Sequence, residues 1–301
     1  MMRVYLKHDL SYLTQQCTKL SLLKLKIMKK ILLAFDGIHF SDAAFDFANK
    51  LNAMNPILLT GVFLPQISYA NLWSYADGMS TPNFLPLLED DDMEVIEKNV
   101  KKFEALCVKN HIEYRTHKDL NDLALPELKK ESRFADLLII GEEKFYENMG
   151  SGNPNNYLKE AIQSIECPII VVPEKYDFPS INIIAYDGSE SSVFAIKQFV
   201  YLLPELAKNP TLLTYANKDE DSVIPNEKYI EELVSRHFTD LTISKLDIDS
   251  RKYFSTWIAD RKSSILIAGS FGRTSFSQFF KKSFLMEVIS EHQLPIFISH
   301  K

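Results

Sequence analysis

Two stretches decide the fold: KKILLAFDGIHFSDAAFDFANKL, from residue 29, and SINIIAYDGSESSVFAIKQFVYLL, from residue 180. Each opens with a short aliphatic and β-branched run. Each run ends in an aromatic residue followed by Asp-Gly: Phe35-Asp36-Gly37 in one, Tyr186-Asp187-Gly188 in the other. A serine-containing turn follows, then apolar residues at helical spacing. In the second stretch Val193, Ala195, Ile196, Phe199 and Val200 mark one helical face, with Ser189 or Ser191 as the N-cap. The chain therefore repeats a strand–turn–helix unit about 150 residues apart, the sign of a duplicated domain.

Working outward, the far ends of the halves match as well. Ala135-Asp136-Leu137-Leu138-Ile139-Ile140-Gly141 parallels Ser263-Ser264-Ile265-Leu266-Ile267-Ala268-Gly269, and both apolar runs stop at glycine. Cys167-Pro168-Ile169-Ile170-Val171-Val172 parallels Leu294-Pro295-Ile296-Phe297-Ile298-Ser299. A proline is tolerated there because a strand start needs no N–H from it. Between these landmarks the pattern predicts strands near 30–35, 57–63, 112–117, 136–140 and 168–172, with helices near 41–53, 88–110, 122–133 and 155–165. The second half reads as strands near 181–186, 210–216, 240–245, 264–268 and 295–299, and helices near 190–203, 226–238, 250–261 and 278–292. Wholly apolar strands alternating with amphipathic helices predict a parallel sheet covered on both faces. The expected fold is α/β: two tandem doubly wound domains, each a five-stranded parallel sheet flanked by helices. They span 28–173 and 180–301, with Pro173 and Pro179 bracketing a short polar link.

The bulk numbers agree. The 301 residues suffice for two domains of roughly 140 residues each. A hydrophobic fraction of 46% and a charged fraction of 25% are those of a soluble globular protein. The net charge of −6 argues against nucleic acid as a partner. Cys17, Cys107 and Cys167 form no C-x-x-C pair, so a disulfide framework or cysteine zinc site is not expected and a reducing, cytoplasmic compartment fits. The seven histidines are scattered without metal spacing and read as surface or internally satisfied residues. No apolar run is long enough for a membrane helix. Residues 1–27 are basic and mildly amphipathic; they read as an N-terminal extension, either an early start ahead of Met28 or a loosely attached helix. The halves differ between the second strand and second helix. There the first half carries 65–87, with Trp73 and Tyr75, and the second only about 217–225. A loop of that length is a lid, a binding loop or a partner surface, or else an ordered loop that packs its own aromatics.

In a doubly wound sheet the ligand site lies beyond the carboxyl ends of the strands, where strand order reverses. Asp36-Gly37 and Asp187-Gly188-Ser189 stand at the ends of first strands, Gly141 and Gly269 at the ends of fourth strands. The most informative motif is Gly269-Ser270-Phe271-Gly272, nine residues, then Lys282-Ser283. It is similar to the pattern of ATP-binding universal stress proteins: glycine, two residues, glycine, nine residues, then glycine and serine or threonine. Gly269, Gly272 and Ser283 fit that pattern; Lys282 stands at the third glycine. Glycines let backbone N–H groups approach phosphate oxygens. Lys282 either adds positive charge to a phosphate or fills its volume, and Arg273 is either a phosphate contact or a solvated charge. No P-loop spacing is present. In the first half Gly141 is followed by Glu142, Glu143 and Lys144, and Pro154-Asn155 stands at the glycine–serine position. Asp36, Gly37 and Gly141 are thus degenerate equivalents, and the first half is not expected to bind ATP in that manner.

The resemblance covers about residues 29–300. It implies a Rossmann-like fold of the adenine nucleotide alpha hydrolase type and a stress-response role. It also implies ATP or a related adenine nucleotide in the second half, with Mg2+ as an accompanying ion. Asp187 would lie near the base or ribose, and Gly269, Ser270, Gly272, Arg273 and Ser283 around the phosphates. The alternatives are a pocket for another small ligand, a scaffold for protein partners, and a slow ATP hydrolase. Lacking a nucleophile–base pair or metal cluster, the sequence favours binding over catalysis. The fifth strands offer a pairing edge for assembly between domains or for self-association of chains.

Overall fold

The computed structural model describes residues 28–65, 90–118, 124–145, 147, 156–216, 223–246, 257–258, 261–269, 288–289 and 294–299. The first half contains β1 (Lys29–Phe35), α1 (Asp42–Met54), β2 (Ile57–Phe63), α2 (Asp90–Lys109), β3 (Glu113–Lys118), α3 (Ala124–Arg133), β4 (Leu137–Gly141), α4 (Asn156–Ser164) and β5 (Ile169–Val172). The second contains β6 (Ile181–Ala185), α5 (Glu190–Leu202), a 3-10 turn (Leu206–Lys208), β7 (Thr211–Ala216), α6 (Glu227–His237), β8 (Leu241–Leu246), β9 (Ser264–Gly269) and β10 (Ile296–Ser299). Every strand expected from the sequence is present within two residues of its expected ends. The helices expected over 250–261 and 278–292 fall largely outside the described residues, as do the stretch 1–27 and all but Pro65 of the loop 65–87.

The strands form one sheet in the order β3-β2-β1-β4-β5-β10-β9-β6-β7-β8. Within each half all pairings are parallel. The halves join where β10 pairs antiparallel with β5, Phe297 opposite Ile170. The edge that the fifth strands offer is thus used inside the chain. Because that junction is antiparallel, the carboxyl ends of the first half's strands and those of the second half's lie on opposite edges of the sheet.

The strands are buried on both faces, as their unbroken apolar runs require. Alternation along β1 sends Ile31, Leu33 and Phe35 into one core and Leu32 and Ala34 into the other. The first core runs through both halves, joining Phe47 and Leu51 of α1 to Ile196 and Phe199 of α5. Pro168 and Pro295 precede β5 and β10, where their carbonyls accept from Leu138 and Leu266 of the neighbouring strands. A proline costs nothing there, because only its acceptor is used.

The polar link, 174–180, is held against the first half. Tyr176 and Phe178 lie 5.8 and 5.2 Å from Phe47, ring centre to ring centre. Tyr176 Oη donates to Asp46 Oδ2 at 3.0 Å, and the Lys50 ammonium sits 5.3 Å from the Phe178 ring. No helix among the described residues is long and apolar enough to cross a membrane.

Candidate functional site

Strand order reverses between β1 and β4 in the first half and between β6 and β9 in the second. Register fixes what meets there. Ala34 pairs with Ile140, which sets Asp36 beyond β1 close to Gly141 at the end of β4. Ala185 pairs with Ala268, which sets Asp187 close to Gly269. The structure therefore brings together the residues the sequence marks in each half: Asp36, Gly37 and Gly141 at one crevice, Asp187, Gly188, Ser189 and Gly269 at the other. Ser270, Gly272, Arg273, Lys282 and Ser283 lie outside the described residues.

The two terminal glycines have a packing role. A Cβ on Gly269 would stand 2.5 Å from the backbone of Ser191 and Ser192 in the first turn of α5. A Cβ on Gly141 would stand 2.4 Å from the Ser41 side chain, the N-cap of α1. In each half the helix start rests directly on the end of the fourth strand, and only glycine leaves room. That contact presses a helix N-terminus into the crevice.

The loops between strand and helix differ. In the second half Ser189 is the N-cap of α5, two residues past Asp187, and its Oγ accepts from Ser192 N at 3.1 Å. Gly188 has φ +79°, and a Cβ there would meet Pro225 Cβ at 2.6 Å. Asp187 is half-buried, and among the described residues it accepts one hydrogen bond, from Ser189 N to Oδ1 at 2.9 Å. Tyr186 Oη donates to Pro225 O at 2.8 Å, tying the mouth to the segment before α6.

In the first half the N-cap, Ser41, comes five residues past Asp36, so α1 starts three residues later than α5 and Ile38, His39 and Phe40 stay in the loop. Asp36 is only 3% exposed. Its Oδ1 accepts from Ile38 N (3.0 Å) and His39 N (2.7 Å), and its Oδ2 pairs with His39 Nδ1 at 2.6 Å. Phe40 stacks on Phe35 at 4.7 Å, and Lys102 of α2 covers Phe40 at 4.1 Å. Asn99, also on α2, donates from Nδ2 to Gly37 O and Ile38 O, each at 2.8 Å. The aspartate that accepts one hydrogen bond among the described residues of the second half is enclosed by its own loop in the first.

Carboxylates complete the first crevice. Glu142 is buried, and burial with Glu143 nearby pushes its carboxyl up to about 9. Glu143 accepts from Glu174 N at 2.8 Å. Burial also raises the Glu174 carboxyl, against a hydrogen bond with Ser41 that pulls it down. The hydrogen bond to Asp36 raises the His39 pKa from 6.5, outweighing burial, and the Glu147 carboxylate adds to the rise. Sequence reading counted His39 among scattered histidines; its spacing of three from Asp36 was the available signal. Cys107 and Cys167 are buried, and burial pushes each thiol up to about 12, which removes them as nucleophiles. Among the described residues no group of three or more His, Cys, Asp or Glu is placed to hold a metal ion.

A ten-stranded, mostly parallel sheet built from two halves, each with its switch-point crevice, defines a tandem α/β architecture, and solved structures share it. A universal stress protein from Archaeoglobus fulgidus DSM 4304 superposes with a TM-score of 0.60 at 13% identity, over 91% of this chain and 96% of that one. A protein of unknown function from Pseudomonas aeruginosa PAO1 gives a TM-score of 0.53 at 9% identity, over 91% of this chain and 93% of that one. No protein-family model and no curated protein matches the chain. The chain has the tandem universal stress protein fold.

Proposed function

We propose that this protein is a stress-response binding protein of universal-stress type, with an adenine nucleotide such as ATP held in the second half alone. The observation that carries the reading is the asymmetry of the two aspartates. Asp36 is saturated by its own loop, whereas Asp187 keeps Oδ2 for a ligand hydroxyl or amino group. Asp187 stands beside a helix start that Gly269 admits to the crevice, an arrangement suited to an anionic ligand. The glycine spacing through Gly272 to Ser283 supplies the phosphate-binding part of the proposal, with Arg273 and Lys282 as its cations. Magnesium would accompany the phosphates. The role is binding and regulation rather than turnover, and protein partners would read the loaded or empty state.

Calorimetric titration with ATP and ADP, with and without magnesium, tests this. Saturable binding by the full chain, lost in Gly272→Asp and Asp187→Ala but kept in Asp36→Asn, is the expected result. Binding that survives Gly272→Asp and is lost in Asp36→Asn would move the ligand to the first half. Absence of binding in the full chain and its appearance in Lys282→Gly would mean a closed pocket, and would overturn the nucleotide role.

A further inference from the structure

The first crevice is spanned by a bridge of charged groups. On one wall is the loop after β1, with Asp36 and His39. On the other is the turn after β4, with Lys144 and Glu147. His39 reaches both: Nδ1 is 2.6 Å from Asp36 Oδ2 and Nε2 is 3.9 Å from Glu147 Oε2. Glu147 is held in turn by Lys144 Nζ at 2.9 Å. From α2, the facing groups among the described residues are the uncharged Asn99, on Gly37 O and Ile38 O, and Lys102, which lies over Phe40 and pairs with Asp42 at 2.6 Å.

We propose that His39 is a proton-operated latch that ties the two walls of the first crevice together when charged and releases them when neutral.

The chemistry follows from the two ring nitrogens. An imidazolium carries a proton on both, so it donates to Asp36 through Nδ1 and pairs by charge with Glu147 through Nε2. A neutral ring keeps its proton on Nδ1, facing the buried Asp36, and turns a lone pair at Nε2 towards the Glu147 carboxylate. The Asp36 arm survives and the Glu147 arm becomes repulsive. The direction with pH is fixed by the raised His39 pKa, which Asp36 causes first and Glu147 reinforces. A group raised on folding contributes fully below its unfolded value of 6.5, and the contribution is lost as pH rises through the folded value. The latch is therefore closed below pH 6.5 and opens as pH rises through the raised His39 value. The loop itself stays folded, because Asp36 still accepts from Ile38 N and His39 N and Asn99 still holds Gly37 and Ile38. What moves is the contact between walls, which makes this a switch rather than local unfolding. In the second half Ser189 caps α5 two residues past Asp187, with no histidine in the turn, so the response is confined to one crevice.

The test is a pH titration of the full chain by NMR, with the seven histidines labelled at Cε1 and the backbone at nitrogen. His39 is expected to titrate above 6.5, and the amide signals of Ile38 on one wall and of Lys144 and Phe145 on the other should shift with the same midpoint. Asp36→Asn should lower that midpoint, and His39→Gln should abolish the transition at Lys144 and Phe145. Glu147→Gln changes an exposed side chain that threatens no core. It should lower the His39 midpoint and uncouple Lys144 and Phe145 while Ile38 still responds. A His39 midpoint at or below 6.5, or Lys144 and Phe145 signals indifferent to it, would overturn the latch.

Discussion

The two loops that follow the first strands start from the same Asp-Gly and reach the same serine cap by different routes. The second half takes two residues from Asp187 to Ser189; the first takes five from Asp36 to Ser41. Three residues decide what the aspartate does. In the short loop Asp187 Oδ1 caps the turn, accepting from Ser189 N. In the long loop the extra backbone N–H groups and the His39 ring converge on Asp36, and Phe40 roofs the aromatic cluster of Phe35 and Phe63. The scaffold of both sites is the same, and the later helix start in one leaves Ile38, His39 and Phe40 in the loop, where His39 gives the aspartate an internal partner.

The largest effect that bears on this comparison concerns what both halves share. If Gly141 and Gly269 are glycines because a helix start rests on them, adding one methyl should be costly whether or not nucleotide binds. Gly269→Ala meets backbone atoms of Ser191 and Ser192, which cannot step aside, and should lower stability by about 3 kcal/mol in urea unfolding. Gly141→Ala meets the Ser41 side chain instead. Its cost should be largely relieved by Ser41→Gly, since glycine is an acceptable N-cap at a penalty of only a few tenths of a kcal/mol. No side-chain trimming should rescue Gly269→Ala. Equal tolerance of alanine at both positions would mean that phosphate approach, not helix packing, selects glycine there.

The scaffold was legible because its signals are local. Wholly apolar runs such as Leu137–Gly141 are long enough for a strand and too short for a helix, and Ser189 announces the start of α5. The pairing of β5 with β10 was legible only as an open edge. Residues 169–172 and 296–299 carry no mark that says whether an antiparallel partner comes from the same chain or another. The closure of the first crevice was not legible at all. Aligning the halves on Asp-Gly does not show that α1 starts three residues later than α5, and the side chains that hold the longer loop, Asn99 and Glu147, are distant in sequence. The glycine motif reads well by spacing, yet spacing alone does not separate a glycine needed for phosphate from one needed for packing, and Gly269 serves the second purpose regardless of the first.

A middle-sized effect distinguishes the halves by charge. Glu142 directly follows Gly141, where the second half has Ser270 after Gly269. Burial raises the Glu142 carboxyl from 4.5 to about 9. The folded protein thus holds a proton that the unfolded chain has released, and its stability falls as pH rises from 4.5 towards 9. Glu142→Gln keeps the shape and removes the cost. The gain is expected to grow with pH, from under about 1 kcal/mol at pH 5 to several times that at pH 8. A variant that is less stable than the parent at pH 8 would mean that the ionised carboxylate has a role in holding the fold.

The smallest expected effect separates the two ways of clamping a mouth. The strand-end aromatic of the second half, Tyr186, ties its loop down through a hydroxyl on Pro225 O. The first half has Phe35 there, without a hydroxyl, and the clamp comes from α2, through Asn99 on Gly37 O and Ile38 O. Asn99→Ala and Tyr186→Phe should each cost about 1 kcal/mol, because the carbonyls they release can turn to water at the crevice rim. The two sites lie on opposite edges of the sheet and share no partner, so the double variant should lose the sum of the two. Asn99→Ala should also leave His39 titrating above 6.5, since Asp36 and Glu147 hold that ring independently of Asn99. Non-additive losses would show that the continuous sheet couples the crevices, and the first half's closed loop would then bear on how the second half binds.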